Sequence, residues 1–161
     1  MKVPKTNAMR LLDQAGIAYE VRTYEYDESD LSGLKAAQAL SMPAEQIYKT
    51  LVAQGDRTGY LVCCVAVDRE IDLKLLAQLS GDKRVELIPQ KELLPLTGYL
   101  RGGCSPLGMK KQWPTFIDEL VILQEIVAVS AGQRGCQMLL APADLIRVSG
   151  ARLGSLSREH A

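Results

Sequence analysis

A lysine inside a strand-like segment is the first residue of this sequence whose position could serve chemistry. In a strand over residues 47–52, side chains would alternate between two faces. Lys49 then shares one face with the apolar Ile47 and Leu51, and Thr50 lies on the opposite face. Such a lysine often lays its aliphatic stem over apolar surface while its amine reaches water. The alternative is an ammonium group that lines a cleft and binds an anion, such as a phosphate or a developing oxyanion.

A glycine-rich segment, residues 98–108, is the second candidate. It holds four glycines among eleven residues, and glycine lets the backbone adopt positive φ and approach a ligand closely. The adjacent Gly102 and Gly103 can turn successive N–H groups into a concavity for an anion, as in an oxyanion hole. The alternative is a flexible connection, because the segment is neither a P-loop nor a dinucleotide fingerprint. Lys110 and Lys111 follow at once, either as solvated charges or, beside a phosphate site, as groups that steer RNA.

A second turn-like segment, residues 129–135, separates two apolar strands. A hairpin turn is the simplest interpretation, and the alternative is that Ser130, at a strand end, hydrogen-bonds a ligand. The sequence offers no nucleophile with a partner base, because Ser105 and Cys104 have no histidine available except His160 in the tail. An enzyme built from this chain would therefore act by positioning and electrostatics, with part of the chemistry supplied by the substrate.

The elements that must hold these residues show no regular β-α-β alternation. Helices are predicted between Thr6 and Gly16, after Ser32 and between Asp72 and Gly81, where a capping residue precedes apolar periodicity. A last helix is predicted over Ala143–Val148, with Pro142 at its first turn, and helical turns are predicted after Pro43 and at 89–94. Strands are predicted where short apolar or alternating runs occur: 18–26, 47–54, 59–67, 85–88, 119–123, 126–129 and 136–140.

The predicted fold class is mixed α/β (α+β), with more strand than helix. Several strand pairs have connections too short for parallel crossovers, so antiparallel pairing should dominate. A length of 161 residues with 47% apolar residues favours a single domain, 1–161. We expect residues 151–161 to be a loosely ordered tail.

Composition narrows the class of function. Nineteen basic residues balance nineteen acidic ones, so binding of nucleic acid by charge alone is disfavoured, and RNA contact should be local or shared with a partner. No apolar run is long enough for a membrane span or a signal peptide, which predicts a cytoplasmic protein without a membrane partner. The four cysteines form no CxxC pair and the chain has one histidine, so we expect free thiols, no metal site and no cofactor.

Taken together, these segments resemble the YbaK/EbsC family of Cys-tRNA(Pro) deacylases along nearly the whole chain. The resemblance is carried by Arg22-Thr23-Tyr24, by Tyr48-Lys49-Thr50-Leu51, by TGYLRGGCSPLGMKK at 97–111, by VSAGQRG at 129–135 and by APADL at 141–145. The family belongs to a wider group that includes the editing domain inserted in bacterial prolyl-tRNA synthetases.

The resemblance implies a mostly antiparallel sheet curved into a partial barrel, with helices packed outside. It implies a trans-editing reaction that cleaves the ester between a wrongly attached amino acid, usually cysteine, and the 3′ adenosine of tRNA(Pro). Prolyl-tRNA synthetase would be a partner. The thiol of the cysteine substrate is expected to attack its own ester carbonyl and form a cyclic thiolactone, which would explain the lack of a protein nucleophile.

The resemblance also implies roles for particular residues. The family's essential lysine corresponds to Lys49, expected to hold the phosphate or ribose of the terminal adenosine, although the sequence does not separate this role from oxyanion support. Its glycine loop corresponds to Gly102 and Gly103, whose amides would face the scissile ester. The remaining expected site residues are Tyr24, Thr50, Ser105 and Ser130 for substrate binding, and Lys110 and Lys111 for RNA contact.

The sequence departs from the family pattern where an aromatic residue followed by glycine often precedes the second helix. Here the matching residues are Leu31, Ser32 and Gly33, which would alter the pocket wall. Two other functions are compatible with the sequence: an inactive module of the same fold that binds tRNA or the synthetase, and an esterase or thioesterase acting on another small acyl ester.

Overall fold

The computed structural model of the protein describes residues 4–160. This part of the chain contains five helices: α1 (Asn7–Gln14), α2 (Gly33–Leu40), α3 (Leu73–Ser80), α4 (Leu93–Thr97) and α5 (Pro142–Ser149). The same residues form ten strands: β1 (Glu20–Thr23), β2 (Tyr48–Gly55), β3 (Gly59–Ala66), β4 (Arg69–Ile71), β5 (Val85–Leu87), β6 (Thr115–Asp118), β7 (Val127–Ser130), β8 (Cys136–Leu140), β9 (Arg152–Gly154) and β10 (Ser157–Glu159). Single 3-10 turns occupy Ala44–Gln46, Gln90–Glu92 and Glu119–Leu123.

The helices begin where the capping residues predict. The Thr6 hydroxyl accepts a hydrogen bond from the Met9 amide at 3.2 Å, and the Ser32 hydroxyl accepts one from the Lys35 amide at 3.3 Å. Such caps satisfy amides that have no partner within the helix. Asp72 caps α3 in the same way. The predicted starts of α1, α2 and α3 are therefore confirmed.

The strands form three sheets, in the orders β5-β2-β3-β6-β9, β1-β8-β7 and β10-β4. Of the seven strand pairs among residues 4–160, five are antiparallel, and the β3–β6 and β6–β9 pairs are parallel. The predicted mixed class with mostly antiparallel pairing is confirmed. Residues 4–160 form three sheets, and none of them closes on itself. The expected curvature into a partial barrel stays a prediction.

The β2–β3 hairpin is the framework for Lys49. Its turn is held by Asp82, whose carboxylate accepts hydrogen bonds from the Arg57 and Thr58 amides, both at 2.8 Å. Strand alternation sends Cys63 and Cys64 of β3 into two different hydrophobic clusters, one on each side of the sheet. The hairpin is therefore buried on both faces.

Two predictions near the C-terminal part of the chain were wrong. Residues 119–123 were predicted as a strand but form a 3-10 turn, and the strand β6 lies just before them. Periodicity does not separate a short apolar strand from a short apolar helical turn. The described part of the expected loose tail contains β9 and β10, which pair with β6 and β4.

The C-terminal segment is fixed by burial as well as by strand pairing. Leu156 is fully buried in the cluster under α3. The Ser157 hydroxyl donates to the buried Asp118 carboxylate and accepts a hydrogen bond from Arg69 at 2.7 Å. The single-domain prediction, 1–161, includes residues 1–3 and 161, which lie outside the described residues. None of the helices in residues 4–160 is long and apolar enough to cross a membrane.

Candidate functional site

An open cavity of about 460 Å³ lies where β2, the start of α2, the 98–108 loop and the β7–β8 hairpin meet. The expected site residues divide into two groups by their position relative to this cavity. Five line it: Tyr24, Lys49, Thr50, Gly102 and Ser130. Four do not: Gly103, Ser105, Lys110 and Lys111.

Lys49 lies in the first half of β2, paired with Val65 of β3. The side chain is half-buried. Burial lowers the pKa of the Lys49 amine below its ordinary value of 10.5, and the charges of Glu70, Asp68 and Cys63 oppose this effect. An ammonium group with part of its hydration removed interacts more strongly with an anionic ligand than a fully solvated one.

Gly102 occupies a tight turn over residues 100–103. The Gly103 amide donates to the Leu100 carbonyl oxygen at 2.9 Å, and Gly102 has φ +84° at the third position of the turn. This is the position where a type II turn requires positive φ and therefore favours glycine. A Cβ on Gly102 would lie 3.2 Å from the Leu31 side chain. No residue within 4–160 accepts a backbone hydrogen bond from the Gly102 amide.

Gly103 does not have the role that the sequence suggested. Its amide is used within the turn, and the residue is buried against the β7–β8 hairpin, where a Cβ would lie 2.9 Å from the Arg134 nitrogen. The hairpin also holds the turn through Arg134, whose Nε donates to the Arg101 carbonyl oxygen at 2.8 Å. Because the Gly103 amide is engaged within the turn, Gly102 is the one of the two glycines whose amide has no backbone acceptor, and Gly103 packs closely against the hairpin.

Tyr24, Thr50 and Ser130 line the cavity from three different strands or strand ends. The Tyr24 amide donates to the Gly135 carbonyl oxygen at 2.9 Å. Burial raises the pKa of the Tyr24 hydroxyl, and the polar Gln137 side chain and Gly135 backbone oppose the rise. Tyr24 therefore remains a protonated phenol at neutral pH, able to donate a hydrogen bond.

The Ser130 hydroxyl is already engaged on one side. It accepts a hydrogen bond from the Gly132 amide at 3.1 Å, which holds the hairpin turn beyond β7. A serine hydroxyl has one donor hydrogen besides its acceptor lone pairs. Ser130 thus combines the two interpretations given by the sequence, since it stabilises a turn and also lines the cavity.

Ser105 lies away from the cavity. It is fully buried, and its hydroxyl accepts a hydrogen bond from the Leu107 amide at 3.3 Å. The side chain therefore shapes the 98–108 loop from within. The expectation that Ser105 contacts substrate finds no support in this position.

Lys110 and Lys111 are exposed and lie outside the cavity. The Lys110 side chain packs on Gly98, and its amine is 3.5 Å from the Pro95 carbonyl oxygen. The Lys111 amine lies 4.6 Å from the centre of the Trp113 ring, within cation–π range. Neither lysine lines the cavity, and their contact with RNA outside it stays a prediction.

Cys104 is the protein thiol at the cavity wall. Burial and the nearby Cys64 raise the pKa of the Cys104 thiol to about 12, against the smaller effect of Thr97. The thiolate is the nucleophilic form of cysteine, and this environment keeps Cys104 protonated. Its surroundings agree with the interpretation of Cys104 as a small buried apolar residue.

The polar residues that line the cavity but received no role from the sequence include Gln137, His160 and Arg101. Gln137 lies in β8, and its side-chain oxygen is buried without a hydrogen-bond partner in the described chain. A single amide side chain within the apolar run of residues 136–140 was the available signal. His160 follows β10 and was set aside because it was assigned to a loose tail.

Comparison with known proteins gives the family. The Aminoacyl-tRNA editing domain family matches residues 32–148. The protein described as "Putative Cys-tRNA(Pro)/Cys-tRNA(Cys) deacylase EbsC" of Enterococcus faecalis is 40% identical over 153 residues, which cover 95% of this chain and 93% of that protein. The chain therefore belongs to the YbaK/EbsC aminoacyl-tRNA editing domain family.

Two further relatives agree with this assignment. A crystal structure of "a putative trans-editing enzyme for prolyl tRNA synthetase" has a TM-score of 0.83 and 25% identity, and covers 97% of this chain and 99% of that chain. Part of a "Proline--tRNA ligase" of Thermosipho africanus is 31% identical over 77 residues, which cover 48% of this chain and 14% of that protein. The solved structure matches along almost the whole fold.

Proposed function

We propose that this protein is a trans-editing deacylase that cleaves wrongly charged tRNA, with Cys-tRNA(Pro) as its substrate. The observation that carries the proposal is that Lys49 and Gly102 line one cavity in a chain of the editing-domain family. The E. faecalis relative is described as a Cys-tRNA(Pro)/Cys-tRNA(Cys) deacylase, and its 40% identity extends over 95% of this chain.

The proposed reaction uses the thiol of the substrate. Its sulfur forms a bond to the ester carbonyl carbon, the bond from that carbon to the ribose oxygen breaks, and the thiol proton ends on the released ribose hydroxyl. Because both groups belong to one molecule, the attack has the advantage of an intramolecular reaction. The products are a thiolactone and free tRNA.

Negative charge develops on the carbonyl oxygen during this attack. In the proposal the Gly102 amide donates a hydrogen bond to that oxygen, as a fixed donor in a partly desolvated site. Removal of one such donor costs about 3–4 kcal/mol in transition-state stabilisation. Lys49 binds the phosphate or ribose of the terminal adenosine and thereby positions the ester.

The protein groups around the cavity support a mechanism without a protein nucleophile. Cys104 is held as a thiol by burial, and Ser105 is buried inside its own loop. Neither has the arrangement of nucleophile and base that covalent catalysis requires. The balanced net charge supports a further part of the proposal, that prolyl-tRNA synthetase contributes to tRNA binding.

A deacylation assay on Cys-tRNA(Pro), Ala-tRNA(Pro) and Pro-tRNA(Pro) tests the proposal, with Lys49→Met as the variant and Lys74→Met as the surface control. We expect release of free tRNA from Cys-tRNA(Pro), loss of release in Lys49→Met, and normal release in Lys74→Met. Binding of charged tRNA without turnover would instead identify an inactive module of the same fold. Turnover of small acyl esters without RNA would identify an esterase.

A further inference from the structure

The thiolactone formed in the proposed reaction is itself an acylating agent, and it forms beside an amine. A thiolactone is a thioester within a small ring, and an amine opens that ring to give an amide. Lys49 and Gly102 line the same cavity, and in the proposed reaction the carbonyl oxygen lies at the Gly102 amide. The thiolactone is therefore released in the space that the Lys49 side chain borders.

The Lys49 amine is available for this reaction. No ion pair within residues 4–160 involves it, and no aspartate or glutamate of this part of the chain lines the cavity. A carboxylate in contact with a lysine would favour its charged form, which is not a nucleophile. Burial of Lys49 has the opposite effect and lowers the pKa of its amine, against the more distant charges of Glu70 and Asp68. The neutral amine, which attacks a carbonyl carbon, is thereby more abundant than in an exposed lysine.

The other nucleophilic groups of the cavity wall are less suited to a lasting bond with an acyl group. Burial raises the pKa of the Cys104 thiol to about 12 and also raises the pKa of the Tyr24 hydroxyl, so both groups stay protonated. A serine hydroxyl needs a partner base to act as a nucleophile, and the Ser130 hydroxyl is engaged in the hairpin turn. An acyl group on the His160 imidazole would be lost to water, whereas an amide on Lys49 is stable.

We propose that Lys49 is an acylation site for small thiolactones, and that the product of deacylation modifies it within the cavity. This inference rests on the proposed function for the source of the thiolactone. The amine nitrogen forms a bond to the thiolactone carbonyl carbon, the bond from that carbon to sulfur breaks, and a proton from the nitrogen ends on the sulfur. The result is a cysteinyl amide on Lys49 that carries a free thiol and a free α-amine. Because the positive charge of Lys49 is lost, each such event inactivates one protein molecule.

Incubation of the protein with homocysteine thiolactone tests the site without tRNA. This stable thiolactone converts lysine amines to amides by the same reaction. At low ratios of reagent to protein, peptide mass spectrometry should show Lys49 modified several times faster than the exposed Lys74 and Lys83. Lys49→Arg keeps the positive charge but has no nucleophilic amine, so this variant should lose the fast modification and keep the slow modification of the exposed lysines. Lys74→Arg is the matched control and should keep the fast modification of Lys49.

Turnover of Cys-tRNA(Pro) tests whether the product of the reaction is the source of the acyl group. The cysteinyl amide carries an amine and a thiol on adjacent carbons, a group that condenses with cyanobenzothiazole dyes and that lysine and internal cysteine lack. Dye should appear on Lys49 in proportion to the cysteine ester cleaved. Ala-tRNA(Pro), which forms no thiolactone, should give no labelling. Excess free thiol, removed before the dye is added, captures thiolactone that has left the protein, so labelling that persists in its presence identifies a reaction within the cavity.

The two experiments separate this proposal from the proposed function. The acylation site is overturned if homocysteine thiolactone modifies Lys49 no faster than Lys74 and Lys83. Modification by the product is overturned if many turnovers of Cys-tRNA(Pro) leave Lys49 unlabelled, or if excess thiol abolishes the labelling. Normal deacylation together with any of these results leaves the proposed function intact. Absence of deacylation together with fast modification by homocysteine thiolactone would reject the proposed function and retain Lys49 as an acylation site.

Discussion

Lys49 on β2 and Gly102 in the 98–108 loop line the same cavity, although they belong to different elements of the chain. The arrangement places a half-buried ammonium group and a backbone amide without a backbone acceptor at one site. Both groups are among those that the family resemblance selects from the sequence.

The first prediction concerns the reactivity of the Lys49 amine. Because burial lowers the pKa of this amine, a larger fraction of it is neutral at pH 8 than for an ordinary lysine with a pKa of 10.5. At low ratios of sulfosuccinimidyl acetate to protein, mass spectrometry should find Lys49 acetylated before Lys74 and Lys83. Slower acetylation of Lys49 than of these exposed lysines would contradict the prediction.

The second prediction separates the two effects of a side chain at Gly102. Gly102→Val and Gly59→Val both place a side chain at positive φ, +84° and +82°, so each should lose about 2 kcal/mol of stability. A Cβ at Gly59 meets nothing within 4 Å, whereas a Cβ at Gly102 contacts Leu31 at the cavity. Urea unfolding should show a similar decrease in the free energy of unfolding for both variants. The deacylation assay should show loss of turnover in Gly102→Val alone. Normal turnover in that variant would remove the loop from the mechanism.

The third prediction distinguishes two serines of the sequence motifs. Ser105→Ala removes a buried hydrogen bond to the Leu107 amide and should cost about 1–2 kcal/mol of stability with little effect on kcat/KM. Ser130→Ala removes a hydroxyl from the cavity wall and should lower kcat/KM about tenfold. The reverse pattern, with kcat/KM lowered only in Ser105→Ala, would show that the loop rearranges when substrate binds.

The fourth prediction concerns Lys110 and Lys111, which are exposed outside the cavity. If they contact the phosphates of tRNA, Lys110→Ala with Lys111→Ala should weaken binding and reduce the slope of log K against log salt by about 2. Lys74→Ala with Lys83→Ala removes the same charge elsewhere and should leave the slope near that of the wild type. Equal slopes for the two double variants would identify Lys110 and Lys111 as ordinary surface charges.

Local sequence signals gave the helix starts and the β2–β3 hairpin, because Thr6, Ser32 and Asp72 act on amides within three residues of themselves. The alternation of side chains along a strand likewise predicted which residues of β2 share a face. The residues that were misjudged depend on the conformation of the 98–108 loop itself. The Gly103 amide donates a hydrogen bond to the Leu100 carbonyl oxygen, and the Ser105 hydroxyl accepts one from the Leu107 amide. The spacing of residues in the sequence does not reveal these hydrogen bonds.

The order of the C-terminal segment likewise depends on strand pairing with distant parts of the chain. The position at the end of the chain suggested a loose tail. Ser157 nevertheless pairs with Ile71, a residue so far away in the sequence that no local pattern reveals the contact. His160 consequently lies at the cavity. Gln137 was missed for a related reason, since its significance depends on an absence of partners that only the folded chain reveals.

A double-mutant cycle on single-turnover cleavage of Cys-tRNA(Pro) tests most directly whether Lys49 and Gly102 act on one ester. The rates needed are those of the wild type, Lys49→Met, Gly102→Val and the double variant. The account predicts that each single change lowers the rate at least about a hundredfold and that the double variant is little slower than the worse single variant, because the two groups act as a unit. A wild-type rate in either single variant, or losses that multiply as they do for independent sites, would contradict it.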